Sequence, residues 1–349
     1  MINELIEDIS REQSRGQEFF RKGLFPSYRV NSIWHYIRPD NNIFASLSVA
    51  FVLKGLLPLL EDTQKVKIQG IIEEVIRCLP NYQNKTGRNT CNFWSTGQHD
   101  HFPNGKFMHK WKHFKLPDDI DDTALSFLIK GFTPQEISEL KSIMVQHAHE
   151  DKVYDTWFGV NMPKEKDACA LCNAMLLMLA SQPERNIHDK ATLHFLNSSI
   201  LADKHIHDPF WLSRHYGTTP LIVYHYARLI ESCNPPELYR AADRLREQVP
   251  AMLQNEAVEL NKILLQTAAK RLGLDLPEVP INSPINWSPA FYSFLGAPFA
   301  PLRNRLFSRI APKKWAIISW KCTAHEKALY LENLVLNRLS LPLKQKEKS

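Results

Sequence analysis

Apolar residues recur at helical spacing along most of this chain, and breaks containing proline, asparagine or aspartate separate the runs. The periodicity predicts helices over residues 2–21, 28–37, 43–58, 63–79, 122–130, 134–149, 167–181, 188–202, 218–232, 236–248, 250–271 and 322–339. Some boundaries carry their own signal. Thr133 can cap the free N–H groups of a helix start, Pro134 sits in the first turn where its missing N–H is not needed, and Glu136 closes a capping box. Pro235-Pro236 opens another helix. Asn104-Gly105 lies between polar and basic residues, not between alternating strands, so no hairpin is expected there. Short helices joined by loops suit antiparallel pairs. Closing about six pairs into a ring gives an all-α, single-domain α/α toroid over residues 1–340, with 341–349 as a disordered basic tail. Two separate helical bundles are the other arrangement the pattern admits, since no internal repeat sets a period.

Two segments interrupt the helical pattern. Residues 81–117 are rich in aromatics, His and Asn, a composition that suits a functional loop better than disorder. Residues 277–320 combine aromatic and basic side chains with prolines; they read either as a lid or membrane-contacting flap, or as a wrapped segment sealing the core. The run Ile43–Leu60 is broken by Ser46, Ser48, Lys54 and Pro58 and reads as a buried helix, not a membrane span.

Composition narrows the classes. The 349 residues are 44% hydrophobic and 23% charged, as in a globular protein, and only 12 are Gly, which argues against Gly-rich phosphate loops. Neither a dinucleotide-binding glycine pattern, a P-loop nor a Gly-x-Ser-x-Gly elbow occurs. The net charge of +6 is spread thinly and rises toward the C-terminus; it leaves open a face for an anionic substrate or membrane surface, or a solvated basic surface, and nucleic acid is not expected as a partner. Six scattered Cys and no apolar stretch behind a basic start point to a cytoplasmic protein with reduced thiols, peripheral to a membrane at most. No obligate protein partner is expected.

The most informative string is Asp118-Asp119-Ile120-Asp121-Asp122-Thr123-Ala124, directly before an apolar helical run. A helix start stabilises one or two carboxylates. Four crowded acids repel one another, so at least one proton is held tightly, and a carboxylic acid kept protonated is a proton donor. Aromatic side chains that could line a dry cavity stand nearby in sequence: Phe93, Trp94, Trp111 and Phe114 upstream, Trp157 and Phe158 downstream. His99 and His101 are placed to tune an aspartate by hydrogen bonding. Asn173 falls mid-helix among apolar residues and needs a polar partner, with a cavity-lining role open to it.

Asp119-Ile120-Asp121-Asp122-Thr123-Ala124 resembles the Asp-x-Asp-Asp-Thr-Ala protonation motif of class II terpene cyclases, the squalene–hopene and copalyl-diphosphate type. The resemblance implies an α/α barrel and a proton-initiated cyclisation of a linear isoprenoid, an intramolecular isomerisation. Asp121 would be the general acid and Asp119 and Asp122 its support. The resemblance spans the motif and its helical setting; the family usually joins two or three helical domains, whereas this chain has length for one barrel, and the family's Gln-Trp repeat is missing here. Protonation requires no cofactor; Mg²⁺ enters if the substrate is a diphosphate. The same acids satisfy Asp-Asp-x-x-Asp (Asp118, Asp119, Asp122), the Mg²⁺-binding pattern of class I terpene synthases, although no second metal motif follows.

Other readings stand beside this one. The acids could be a structural cap or a Ca²⁺ site in a non-catalytic helical-repeat binding protein. A carbohydrate-active α/α-barrel enzyme would need a second, separated carboxylate, for which Asp155 beside Trp157 is the candidate. Cys169 and Cys172 have C-x-x-C spacing but fall in an apolar run, so buried thiols explain them better than zinc. His205, His207 and Asp208 form a weaker metal-like cluster.

Overall fold

The structure, a computed structural model, describes residues 1–16, 19–96, 116–159, 164–181, 184–276, 291–300 and 304–346. It is mostly helical, at 62%. Helix α1 (Ile2–Glu12) precedes a hairpin of β1 (Ser27–Asn31) and β2 (Tyr36–Asp40). Then follow α2 (Phe44–Leu56), α3 (Asp62–Cys78), α4 (Ile120–Lys130), α5 (Pro134–His147), α6 (Ala168–Ser181) and α7 (Ile187–Leu201). Two single turns, α8 (Lys204–His207) and α9 (Pro209–Leu212), lead to α10 (Thr219–Cys233), α11 (Tyr239–Asn255) and α12 (Glu259–Arg271). The last elements are β3 (Phe294–Gly296), α13 (Arg305–Ile310), β4 (Ile318–Lys321) and α14 (Thr323–Lys346).

Burial sorts the helices into two sets. Helices α2, α4, α6 and α10 are buried on nearly every side, which requires neighbours all round. Helices α3, α5 and α11 bury one stripe only, for example Ile68, Ile71, Ile72 and Val75 on α3. Packing follows the same division. Helix α2 packs on α4, α4 on α6, α6 on α10, α10 on α12, α12 on α14, and α14 returns to α2, so the contacts form a closed circuit. Outside it, α3 lies against α1, α2 and α4, α5 against α6, α7 against α6 and α11, and α11 against α10 and α12.

The all-α expectation is corrected by a four-stranded antiparallel sheet in the order β2-β1-β4-β3. The helix expected over 28–37 is the β1–β2 hairpin. Along Ser27–Asn31 the side chains alternate with a period of two: Ser27, Arg29 and Asn31 are buried, and Tyr28 points out. Asn31 enforces the turn, since its Oδ1 accepts the N–H groups of Ile33 (3.0 Å) and Trp34 (3.1 Å), and His35 takes a left-handed φ of 48°. The deciding contact is distant in sequence: β1 pairs with β4 across Tyr28↔Lys321 and Val30↔Ser319.

Three helix boundaries also differ, one of them the end of α14, which runs to Lys346, past the helix end expected at 339 and into the disordered tail expected from 341. The helix expected over 2–21 stops at Glu12, where Gln13 turns extended and donates its amide to the carbonyls of Gly23 (2.9 Å) and Ile71 (3.0 Å). Gly23 itself has φ 91°, and a Cβ there would stand 2.4 Å from the Glu74 carbonyl oxygen. The break expected at Pro250 falls instead after Asn255, because the buried stripe Leu245, Val249 and Leu253 carries α11 through the proline.

Asn31 also ties the hairpin to the C-terminal segment, its Nδ2 lying 3.1, 3.3 and 2.7 Å from the carbonyl oxygens of Lys314, Trp315 and Ile317. Asn31→Ala is expected to lower stability by about 2 kcal/mol, because carbonyls of the C-terminal segment lose their donor and the Ile33 and Trp34 N–H groups lose their acceptor. Urea unfolding followed by helical circular dichroism would read this as a lower midpoint with an unchanged native spectrum.

Candidate active site

The acidic string opens α4. Asp119 is the extended N-cap residue (φ −130°, ψ 163°), and its Oδ1 accepts the N–H groups of Asp121 (3.0 Å) and Asp122 (2.8 Å). Thr123 Oγ1 donates to the Asp119 carbonyl at 2.6 Å and accepts the Cys91 N–H at 2.9 Å, which fixes the turn against the preceding loop. Asp121 accepts from Asn173 Nδ2 (2.7 Å) on Oδ1 and from the Tyr216 hydroxyl (2.5 Å) on Oδ2. Arg228 donates to Asn173 Oδ1 (2.5 Å). Asp122 has one buried oxygen, Oδ1, with no hydrogen-bond partner. Asp118 is held apart by donors from Asn84 and Thr90, the latter at 2.5 Å, with Arg88 at 3.8 Å.

Burial dominates the proton affinities. It pushes the Asp119 carboxyl up to about 7, with further upward pushes from the charges of Asp121 and Asp118, against the stabilising Asp122 N–H. Asp121 is raised to about 6 by burial, opposed by the Tyr216 and Asn173 hydrogen bonds. Asp122 is raised well above the usual carboxylate range by burial and by the charges of Asp119 and Asp121. The cluster therefore retains protons where ordinary aspartates have lost them.

Asp119, Asp121 and Asp122 border a cavity of about 420 Å³ whose surface is mostly apolar and includes the aromatic side chains of Phe44, Phe93, Trp94, Trp157, Phe294 and Trp320. Phe93 and Phe294 stack at 5.2 Å between centroids, and Trp94 and Trp320 meet Phe93 edge-on at 5.1 and 5.8 Å. One buried carboxylate sets both indoles: Asp40 accepts from Trp94 Nε1 (2.8 Å) and from Trp320 Nε1. Burial raises the Asp40 carboxyl, while Arg29 and the indole donors oppose the rise. β3, β4 and the residues beside them, including Gly296, Ala297, Pro298 and Ile318, close the cavity. Phe294, Gly296, Ala297, Pro298, Ile318 and Trp320 of the expected flap thus form part of its wall.

A second polar group stands on the wall. Glu165 pairs with Arg214, accepts Trp157 Nε1 at 2.9 Å, and has Oε1 3.1 Å from His215 Nε2 without the alignment of a hydrogen bond. Burial would raise the Glu165 carboxyl, but the His215 and Arg214 charges bring it down to about 2. His215 stacks on Phe294 at 5.0 Å; burial lowers its proton affinity, and Glu165 and Asp167 more than restore it, leaving it raised. Glu165, Asp167 and His215 hold ligand-type atoms within 4.8 Å of one another, the one such group found among the described residues. Arg214 already neutralises Glu165, however, and Asp167 already caps α6 through the N–H groups of Cys169 and Ala170 and takes the Ser213 hydroxyl at 2.6 Å.

The expected residues divide as follows. Phe93, Trp94 and Trp157 line the cavity, and Asn173 touches it through Asp121. Phe158 is buried against His147 (5.8 Å), away from the lining. Trp111, Phe114, His99 and His101 lie outside the described residues. Asp155 is engaged by the Trp157 N–H (3.0 Å), His149 (3.5 Å) and Lys164 (3.4 Å). Cys169 and Cys172 are buried, with burial raising both thiols well above their ordinary value. His205 is buried beside Gln248 (2.9 Å), whereas His207 is exposed. Sequence reasoning missed Glu165, His215, Tyr216, Arg228 and Phe44, and placed Phe294 and Trp320 only within the aromatic segment 277–320. Comparisons with protein-family models, curated proteins and solved structures found no match to this chain.

The acid cluster and Glu165 make opposite contributions to stability with pH. Because Asp119 and Asp121 are raised above the ordinary 3.8, their contribution is fully present below that value and is lost as pH rises through about 6 to 7; Asp122, raised well above the same value, acts in the same direction. Glu165, lowered from 4.5, contributes stability that is present above 4.5 and lost as pH falls toward about 2. Asp122→Asn is expected to raise the urea midpoint near pH ~8, with the gain shrinking toward pH ~4. Each unit of upward displacement removed is worth about 1.4 kcal/mol. A gain that does not vary with pH would refute the assignment.

Proposed function

We propose that this chain is a class II terpene cyclase-like isomerase that starts cyclisation of a linear isoprenoid by protonating an alkene or epoxide. One observation carries the reading: three buried, proton-retaining aspartates at a helix mouth border a cavity walled by aromatic rings. Protonating an unactivated alkene needs an acid kept from water, and the carbocation that forms is stabilised by aromatic faces. The closed circuit of α2, α4, α6, α10, α12 and α14, with other helices outside it, supports an α/α toroid as the frame.

Asp121 serves as the acid, held by Asn173 and Tyr216, and the Asp119–Asp122 pair supplies its proton reserve. The alkene π pair takes the proton and leaves a tertiary cation; successive π pairs close rings; a final C–H pair becomes the product double bond. The proton released goes to Glu165, whose Oε1 lacks an aligned donor and whose low proton affinity then favours passing it back to the aspartates. A neighbouring cavity of about 440 Å³ shares Glu165 and Arg214 with the aromatic one and adds Lys164, Lys166 and Lys204, which favours a substrate with a diphosphate headgroup, with or without Mg²⁺. The class I reading is weakened by Asp118, which turns to Asn84 and Thr90 instead of sharing the cavity with Asp119 and Asp122. The carbohydrate reading is weakened by the prior engagement of Asp155, its candidate second carboxylate.

The test is incubation with farnesyl diphosphate, geranylgeranyl diphosphate and squalene, analysed by gas chromatography and mass spectrometry. Wild type should give a cyclic isomer that gains one deuterium in heavy water, and Asp121→Asn should lose roughly 10³-fold in rate with its melting temperature retained. No product from any substrate, or a product that survives Asp121→Asn and releases diphosphate, would sink the reading. Glu165→Gln should shift product from olefin toward alcohol as water captures the cation. An unchanged product ratio in a folded, active variant would remove Glu165 from the scheme.

A further inference from the structure

We infer that the tip of the β1–β2 hairpin and the segment from α13 to β4 form one surface that docks on a membrane rich in anionic lipid. Apolar side chains that water should not favour cluster there: Ile33, Trp34 and Ile37 are 50%, 65% and 59% exposed, and Leu306 and Trp315 are 63% and 42% exposed. The two segments are joined. Trp34 Nε1 donates to the Trp315 carbonyl at 2.8 Å, Asn31 bridges to residues 314–317, and Phe299 contacts both Phe307 (5.7 Å) and Trp315 (6.3 Å).

The charge pattern selects the partner. Arg38, Arg305, Arg309, Lys313 and Lys314 are exposed around these apolar groups. No Asp or Glu occurs from Phe19 to Pro39 or from Phe291 to His325. Two joined segments that carry only positive charge, flanking exposed tryptophans, match an interface where indoles sit at headgroup depth and cations meet anionic phosphates. A protein partner of ordinary composition would more often answer with mixed charge. No helix among the described residues is long and apolar enough to cross a membrane, so the contact is peripheral. The surface also adjoins the cavity: Trp315 precedes Ile318 and Trp320 of its wall by three and five residues, and Phe299 follows Pro298 of the same wall. A lipid-dissolved molecule would thus meet the protein beside the cavity. The docking surface does not depend on the proposed reaction.

The test is flotation of the full chain with vesicles of phosphatidylcholine, alone or with about one third phosphatidylglycerol, together with quenching of tryptophan fluorescence by brominated acyl chains. Wild type should float with anionic vesicles at low salt and be quenched. The triple variant Arg309→Glu, Lys313→Glu, Lys314→Glu should bind roughly 100-fold more weakly. The double variant Ile33→Ser, Trp34→Ser should lose most of the quenching; all five positions are exposed, and native circular dichroism would verify folding. Wild type that stays unbound, or that binds without quenching, would overturn the inference. So would a dimer in sedimentation equilibrium that the double variant dissolves while vesicles remain bare, since the surface would then belong to a second copy of the chain.

Discussion

Withdrawal of the α4 carboxylates from water is the constraint on which the rest of this site depends. A buried ionised carboxylate is costly unless it is paired, hydrogen-bonded or protonated, and this chain uses all three answers. Asp118 is paired and hydrogen-bonded, Asp119 caps the helix with its own following N–H groups, and Asp122 keeps its proton. Asp121 lies between these extremes, with neutral donors on both oxygens. The graded environment, not the number of acids, separates a proton reservoir from an inert cap.

The sheet gives that burial its permanence. Antiparallel pairing of β1 with β4 joins residues near the start of the chain to residues nearly three hundred positions later, and β3 then lays Phe294 across the acids' cavity. Asp40, at the end of β2, locks Trp94 from a loop and Trp320 from β4. Wall, roof and indole orientation thus follow from one set of strand pairings.

Much of the helical frame and the acid cluster was legible in the sequence because both rest on local rules. Capping, proline placement and apolar period are read within a few residues, as at Thr133, Pro134 and Glu136, whose capping box is present. Asn173 was legible for a related reason: a polar side chain inside an apolar helix demands a partner, and Asp121 is that partner. The hairpin was not legible. Residues 28–37 carry enough apolar side chains to suit a helix, and the Asn31 turn becomes decisive only with the distant pairing to β4. Glu165, His215, Tyr216 and Arg228 were silent because no spacing relates them to residues 118–122; tertiary packing alone brings them together.

The hydrogen-bond chain from Arg228 to Asp121 has a stereochemical consequence. A guanidinium can only donate, so Asn173 must turn its carbonyl to Arg228 and its NH₂ to Asp121 Oδ1. The donor on Oδ1 is therefore fixed, whereas the Tyr216 hydroxyl on Oδ2 can rotate and turn acceptor, so Oδ2 is the oxygen better suited to carry the acidic hydrogen. Any transfer from this carboxyl leaves along a single direction in a chiral enclosure, so an achiral alkene presented to it would be attacked on one face and yield one enantiomer.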